Sequence, residues 1–157
     1  MNNHRYGKFQ SVWDFIDKFS KFFKGPYSSS KVFDKVFQEK IRITVTFANN
    51  CLLWGNKRSA VGRKLGLSDD EISKLASISK SDFEYREWAA LNYARDFATL
   101  GGKEPTGEDL EDYYRLYSEK EQKHILKIAS QMDFVNRLMN TITRKKPAET
   151  CNIDLKN

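Results

Sequence analysis

The sequence predicts an all-α fold, a single compact domain of about seven helices. Three observations carry the helical reading. Apolar residues recur at three- and four-residue spacing through most of the chain. Ser-x-x-Glu capping patterns occur at Ser68/Glu71, Ser81/Glu84 and Ser118/Glu121. The three prolines and the Gly101-Gly102 pair fall at joints between the periodic segments rather than inside them.

Residues 11–24 place Val12, Phe15, Ile16, Phe19, Phe22 and Phe23 on one face, an amphipathic helix that Gly25-Pro26 ends. A short serine linker follows, with Ser30 as N-cap of a helix carrying Val32, Phe33, Val36 and Phe37. The next stretch is ambiguous. Ile41, Ile43, Val45 and Phe47 alternate with Arg42, Thr44 and Thr46, a strand-like period of two. No second strand of similar quality exists to pair with it, so a helix apolar on most sides is preferred.

A helix then spans roughly residues 51–65 and stops at Gly66. The capping patterns open a short helix through Ile72 and Leu75, a longer one through Trp88, Leu91, Tyr93 and Phe97, and a last one lined by Ile125, Ile128, Ala129, Met132, Val135 and Met139. Thr106 is the expected cap of a helix with Leu110, Tyr113, Tyr114 and Tyr117. The organisation expected is residues 1–29 as N-terminal helix and linker, residues 30–143 as the helical domain, and residues 144–157 as a flexible polar tail.

Composition narrows the function classes. Of 157 residues, 39% are apolar and 13% aromatic, enough for a packed core and too many for a disordered chain. No apolar run approaches the roughly 18 residues of a membrane span, and no secretion signal opens the chain, so a cytoplasmic, non-membrane protein is expected. The first helix, with Lys18, Lys21 and Lys24, is expected to pack on its own domain or a neighbouring subunit rather than on a lipid surface. Two cysteines and two histidines, all dispersed, make neither a disulfide framework nor a metal site, and no phosphate-binding glycine loop occurs. No cofactor is expected.

Residues 1–80 hold 15 basic and 7 acidic groups (+8), whereas residues 81–157 hold 12 and 14 (−2). A helix-turn-helix pattern through Gly62, Leu65, Ile72 and Leu75 would open its second helix with Asp69-Asp70-Glu71, which repels phosphate, so no nucleic-acid partner is expected. His124, between Glu121 and Lys127 at helical spacing, is expected to face water.

Cys51 is the candidate with chemistry. It falls near a helix N-terminus, where backbone N–H groups favour thiolate. Arg58 lies two turns along the same face, and Glu39 approaches if the two helices run antiparallel. A small cysteine filling core space is the competing reading.

These residues resemble a motif of the carboxymuconolactone decarboxylase family, and of its alkylhydroperoxidase D-like branch in particular. There an acidic residue on one helix leads into Cys-x-x-Cys-x-x-x-His and then a Gly-Leu step. Here the corresponding residues are Glu39, then Cys51-Leu52-Leu53-Trp54-Gly55-Asn56-Lys57-Arg58, then Leu65-Gly66-Leu67. Glu87-Trp88-Ala89-Ala90-Leu91 and Phe134-Val135-Asn136-Arg137-Leu138 extend the likeness over residues 39–143.

The resemblance implies an all-α homo-oligomer, a trimer or hexamer, and thiol redox chemistry on a peroxide with Cys51, Glu39 and Arg58 as site residues. The departures are specific: Trp54 stands at the second cysteine position and Arg58 at the histidine position. Arginine stabilises a thiolate but cannot act as general base. A redox role then needs an external thiol reductant or Cys151 from the tail to resolve oxidised Cys51. The alternative is a catalytically degenerate member, an oligomeric small-ligand-binding protein. In it Trp54 and Arg58 line a pocket for a planar anionic molecule or plug the old site.

Overall fold

The computed structural model describes residues 32–143, which form six α-helices and a 3-10 turn, with no strand among them. Helix α1 (Lys35–Ala48) begins at Asp34, whose carboxylate accepts from Phe37 N–H at 2.8 Å. It joins the two segments read separately from sequence, and it contains the whole period-two run. Ile41, Ile43 and Val45 are fully buried, and Gln38, Glu39, Thr44 and Thr46 are buried beside them. The alternation arises because α1 is the central rod, packed by four helices at once, so apolar residues are required on nearly every side.

Asn50 adopts a left-handed conformation (φ 49°) and turns the chain into α2 (Leu52–Lys64). Asparagine tolerates that geometry better than most residues. The turn is tied down by Asn140, whose amide donates to Asn49 O at 2.8 Å, and by Asn49, whose amide donates to the Asp133 carboxylate at 2.9 Å.

Helix α2 buries only Gly55, Ser59 and Gly62, residues with little or no side chain. A β-carbon at Gly62 would lie 3.0 Å from Ile43 Cδ1 and 3.1 Å from Leu67 Cδ1, and one at Gly55 would lie 3.9 Å from Phe47. These contacts run down α2 and back up α1, so the two helices are antiparallel and close-packed.

Gly66 (φ 98°) ends α2 as the sequence indicates. Ser68 and Glu71 form a complete capping box for α3 (Asp69–Ser77), and Ser118 and Glu121 exchange the same pair of bonds at the head of α6 (Glu119–Thr143).

The expected Ser81/Glu84 box does not form. Ser81 lies within the 3-10 turn Lys80–Asp82 with its hydroxyl bonded to that of Ser79, and α4 (Tyr85–Thr99) starts after Glu84. Trp88 fixes this junction by donating its indole N–H to Ile78 O at 3.2 Å. Gly107 (φ 127°), not Thr106, precedes α5 (Glu108–Leu116), because the chain there needs a conformation that only glycine adopts readily. Asp34 rather than Ser30 caps α1, since the helix starts later than the pattern suggested. The residue 11–24 helix, the linker, Cys151 and the residue 144–157 tail lie outside the described residues.

The core joins α1 to α4 and α6 through Trp88, Leu91, Ala94, Ile125, Ile128 and Met132, all buried. Tyr113 of α5 is 1% exposed and stacks on Tyr93 of α4 at a ring separation of 4.1 Å. Among the described residues no helix is long and apolar enough to cross a membrane.

Replacing Gly62 with valine forces methyl groups into the fully buried Ile43 and Ile72 side chains. The expected cost is about 1–3 kcal/mol of unfolding free energy, read by urea denaturation.

Candidate functional site

Glu39 lies in the second turn of α1 with 2% of its surface exposed, and a buried carboxylate requires compensating charge. Two guanidinium groups supply it. Arg58 Nη1, from the second turn of α2, donates to both carboxylate oxygens at 3.2 Å each. Arg42, one turn along α1, donates from Nη1 to Glu39 Oε2 and from Nη2 to Gln38 Oε1, each at 3.4 Å. Gln38, itself buried, is held by its amide donating to Phe33 O at 2.8 Å. Burial and the neighbouring positive charge of Arg58 lower the pKa of Arg42, while Glu39 opposes that shift.

Trp54 sits one turn before Arg58 on α2. The Arg58 guanidinium carbon is 5.4 Å from the Trp54 ring centre and the Lys57 ammonium nitrogen is 4.6 Å away, both in cation–π range. Two hydrogen-bond donors here are buried with no acceptor among the described residues: the Arg58 Nε–H and the Trp54 indole N–H. Native structures rarely leave such groups unmatched.

Cys51 is the N-cap residue of α2 and is 4% exposed. Its N–H donates to Thr46 O at 3.2 Å and its carbonyl accepts from Gly55 N–H at 2.7 Å, so the residue is fixed to both helices through its backbone. Glu39, Arg58 and Trp54 therefore meet, and Cys51 stands at the head of the helix that presents the latter two. The acid at position 39 is engaged by arginine, farther along α2 than the thiol.

Arg42 and Gln38 were not singled out by sequence reasoning. The available signal was spacing: Arg42 follows Glu39 by three residues, one turn on the same face. His124 requires a correction. It is half-buried rather than solvent-facing, with its ring centre 5.9 Å from that of Phe33. Burial, and then the positive charge of Arg42, lower its pKa, so it is neutral at pH 7. Its flanking charges at helical spacing suggested exposure, but Phe33 from the start of the chain's described region covers that part of α6.

Elsewhere, an open cleft between α4 and the loop into α5 is lined by Asn92, Tyr93, Asp96, Thr106, Glu108 and Asp109, and is acidic where the Glu39 site is basic. Among the described residues no group of three or more His, Cys, Asp or Glu is placed to hold a metal ion.

Two outcomes are expected. Glu39→Gln leaves two partly buried guanidiniums without their counter-charge and costs about 2–4 kcal/mol in urea denaturation, less than for a fully buried pair because both arginines reach solvent. His124 is harder to protonate folded than unfolded. Its contribution to stability is full above the ordinary histidine value of 6.5 and is lost as pH falls below it through the folded-state value. Thermal unfolding between pH 7.5 and 5 is therefore expected to fall more steeply for the natural sequence than for His124→Gln.

Compared with protein-family models, curated proteins and solved structures, the chain matches none of them.

Proposed function

We propose that this chain is an alkylhydroperoxidase D-like protein of the carboxymuconolactone decarboxylase family whose site binds a small molecule instead of turning over peroxide. The observation that carries this reading is the grip of Arg58 on both oxygens of the buried Glu39 carboxylate. A peroxidase cycle needs a second thiol and a group that exchanges protons near neutral pH. Trp54 and Arg58 stand where the resemblance calls for those groups, and they make an ion pair and an aromatic wall instead. The reading includes a cytoplasmic homo-oligomer, a trimer or hexamer, with no cofactor and no nucleic-acid or membrane partner. Leu52 and Leu53, 45% and 55% exposed side by side at the head of α2, support self-association.

A second reading rests on Cys51 at that same helix start, where the backbone dipole favours thiolate. In that case the thiolate attacks the peroxide, giving a sulfenic acid and an alcohol after one proton is taken up. A second thiol, external or Cys151, then condenses with the sulfenic acid, releasing water and forming a disulfide.

Cys51 chemistry separates the two. In the folded full-length protein at pH 7, Cys51 is expected to react with an alkylating probe no faster than an ordinary thiol, and no thiol-dependent peroxide turnover is expected. Trp54→Cys combined with Arg58→His is expected to introduce turnover. Rapid, peroxide-sensitive labelling of Cys51 in the natural sequence, lost in Cys51→Ser, would overturn the ligand-binding reading in favour of the redox one.

A further inference from the structure

We propose that the Glu39 site takes a small monoanionic carboxylate, held by Arg42 and Arg58 together with the indole N–H of Trp54; this rests on the ligand-binding reading above and names its ligand class. One buried carboxylate faces two guanidiniums, so the cluster of Glu39, Arg42 and Arg58 carries one uncompensated positive charge. His124, which the Arg42 charge reaches, is neutral and adds none. Lys57 contributes a further cation at the Trp54 ring, on the more exposed side of α2.

The hydrogen-bonding inventory has the same sign. Beside the unmatched hydroxyls of Ser59 and Thr44, the Arg58 Nε–H and Trp54 Nε1–H are donors on side chains that have no acceptor to offer. The missing partner is therefore a hydrogen-bond acceptor, and the excess positive charge of the cluster favours an anionic one. A carboxylate presents two such oxygens in the planar geometry that suits a guanidinium edge. A phosphate dianion would overshoot the single excess charge. The Arg42 and Arg58 side chains keep 23% and 22% of their surface exposed, so the cluster borders solvent on the side of the two arginines. Arg42 thereby becomes a binding residue rather than a spectator of the Glu39 pair.

The test is a titration of the full chain in chloride-free buffer with benzoate, acetate, inorganic phosphate and neutral benzamide, followed by calorimetry and by thermal shift. Benzoate is expected to bind more tightly than acetate or phosphate, and benzamide is expected not to bind. Arg42→Gln is expected to weaken benzoate binding about tenfold or more, the usual consequence of losing a charge-assisted hydrogen bond. Arg42→Lys, which keeps the charge and guards against a folding defect, is expected to retain part of the affinity. Equal binding of benzamide and benzoate, or unchanged affinity in Arg42→Gln, overturns the anion assignment while leaving a small-molecule site in place. No binding of benzoate overturns it as well, and the ligand-binding reading then stands or falls on the Cys51 chemistry.

Discussion

The close approach of α1 and α2 is the constraint on which the rest of the site depends. Helices usually pack with axes 8–10 Å apart, set by the side chains at the contact. Here α2 contributes only Gly55, Ser59 and Gly62 to the buried face, so its backbone sits directly on the isoleucine-rich surface of α1. That proximity is what lets Arg58 reach across to a carboxylate on α1 that water does not touch. A bulkier residue in the stripe would lift α2 and draw the guanidinium away from Glu39. The glycines are thus required by the ion pair as much as by the packing.

Burial then decides the electrostatics. In water, three such groups would be screened and their balance of charge would matter little. Glu39 is 3% exposed at its side chain, so the arginines respond to one another as well as to the acid, and Arg42 is shifted accordingly. The Arg42 and Arg58 side chains stay 23% and 22% exposed while their guanidiniums meet the carboxylate, so neither charge is fully desolvated. The backbone of Cys51 closes the α1–α2 turn, and Arg58 meets Glu39 farther along α2.

The helices beyond the site hold α1 in register. Asn136 of α6 donates to Thr46 Oγ1 at 3.2 Å, and that hydroxyl donates to Arg42 O, which ties the turn of α1 bearing Arg42 to the longest helix. Arg137 links the Asp133 carboxylate of α6 to Ala98 O at the end of α4, beside the Asn49 turn that Asp133 also holds. The two bonds that cross between helices, Asn136 to Thr46 and Arg137 to Ala98, join residues 90 and 39 positions apart in sequence, which is why spacing rules alone do not find them.

Much of the fold was legible in the chain itself. Helix periodicity, the Ser68/Glu71 and Ser118/Glu121 boxes and the Gly66 stop are local properties, determined by residues within one or two turns of each other. Local patterns misled where tertiary packing overrode them. Ser81 lies in a 3-10 turn bonded to Ser79, and His124 is covered by Phe33, whereas the strand-like run is the buried central helix that the lack of a partner strand favoured. The sequence by itself determined an all-helical chain with an acid, a thiol, a tryptophan and an arginine at informative spacing. Only the tertiary structure decided that the acid meets two arginines, because that depends on how closely α2 lies against α1 and on which groups burial strips of water.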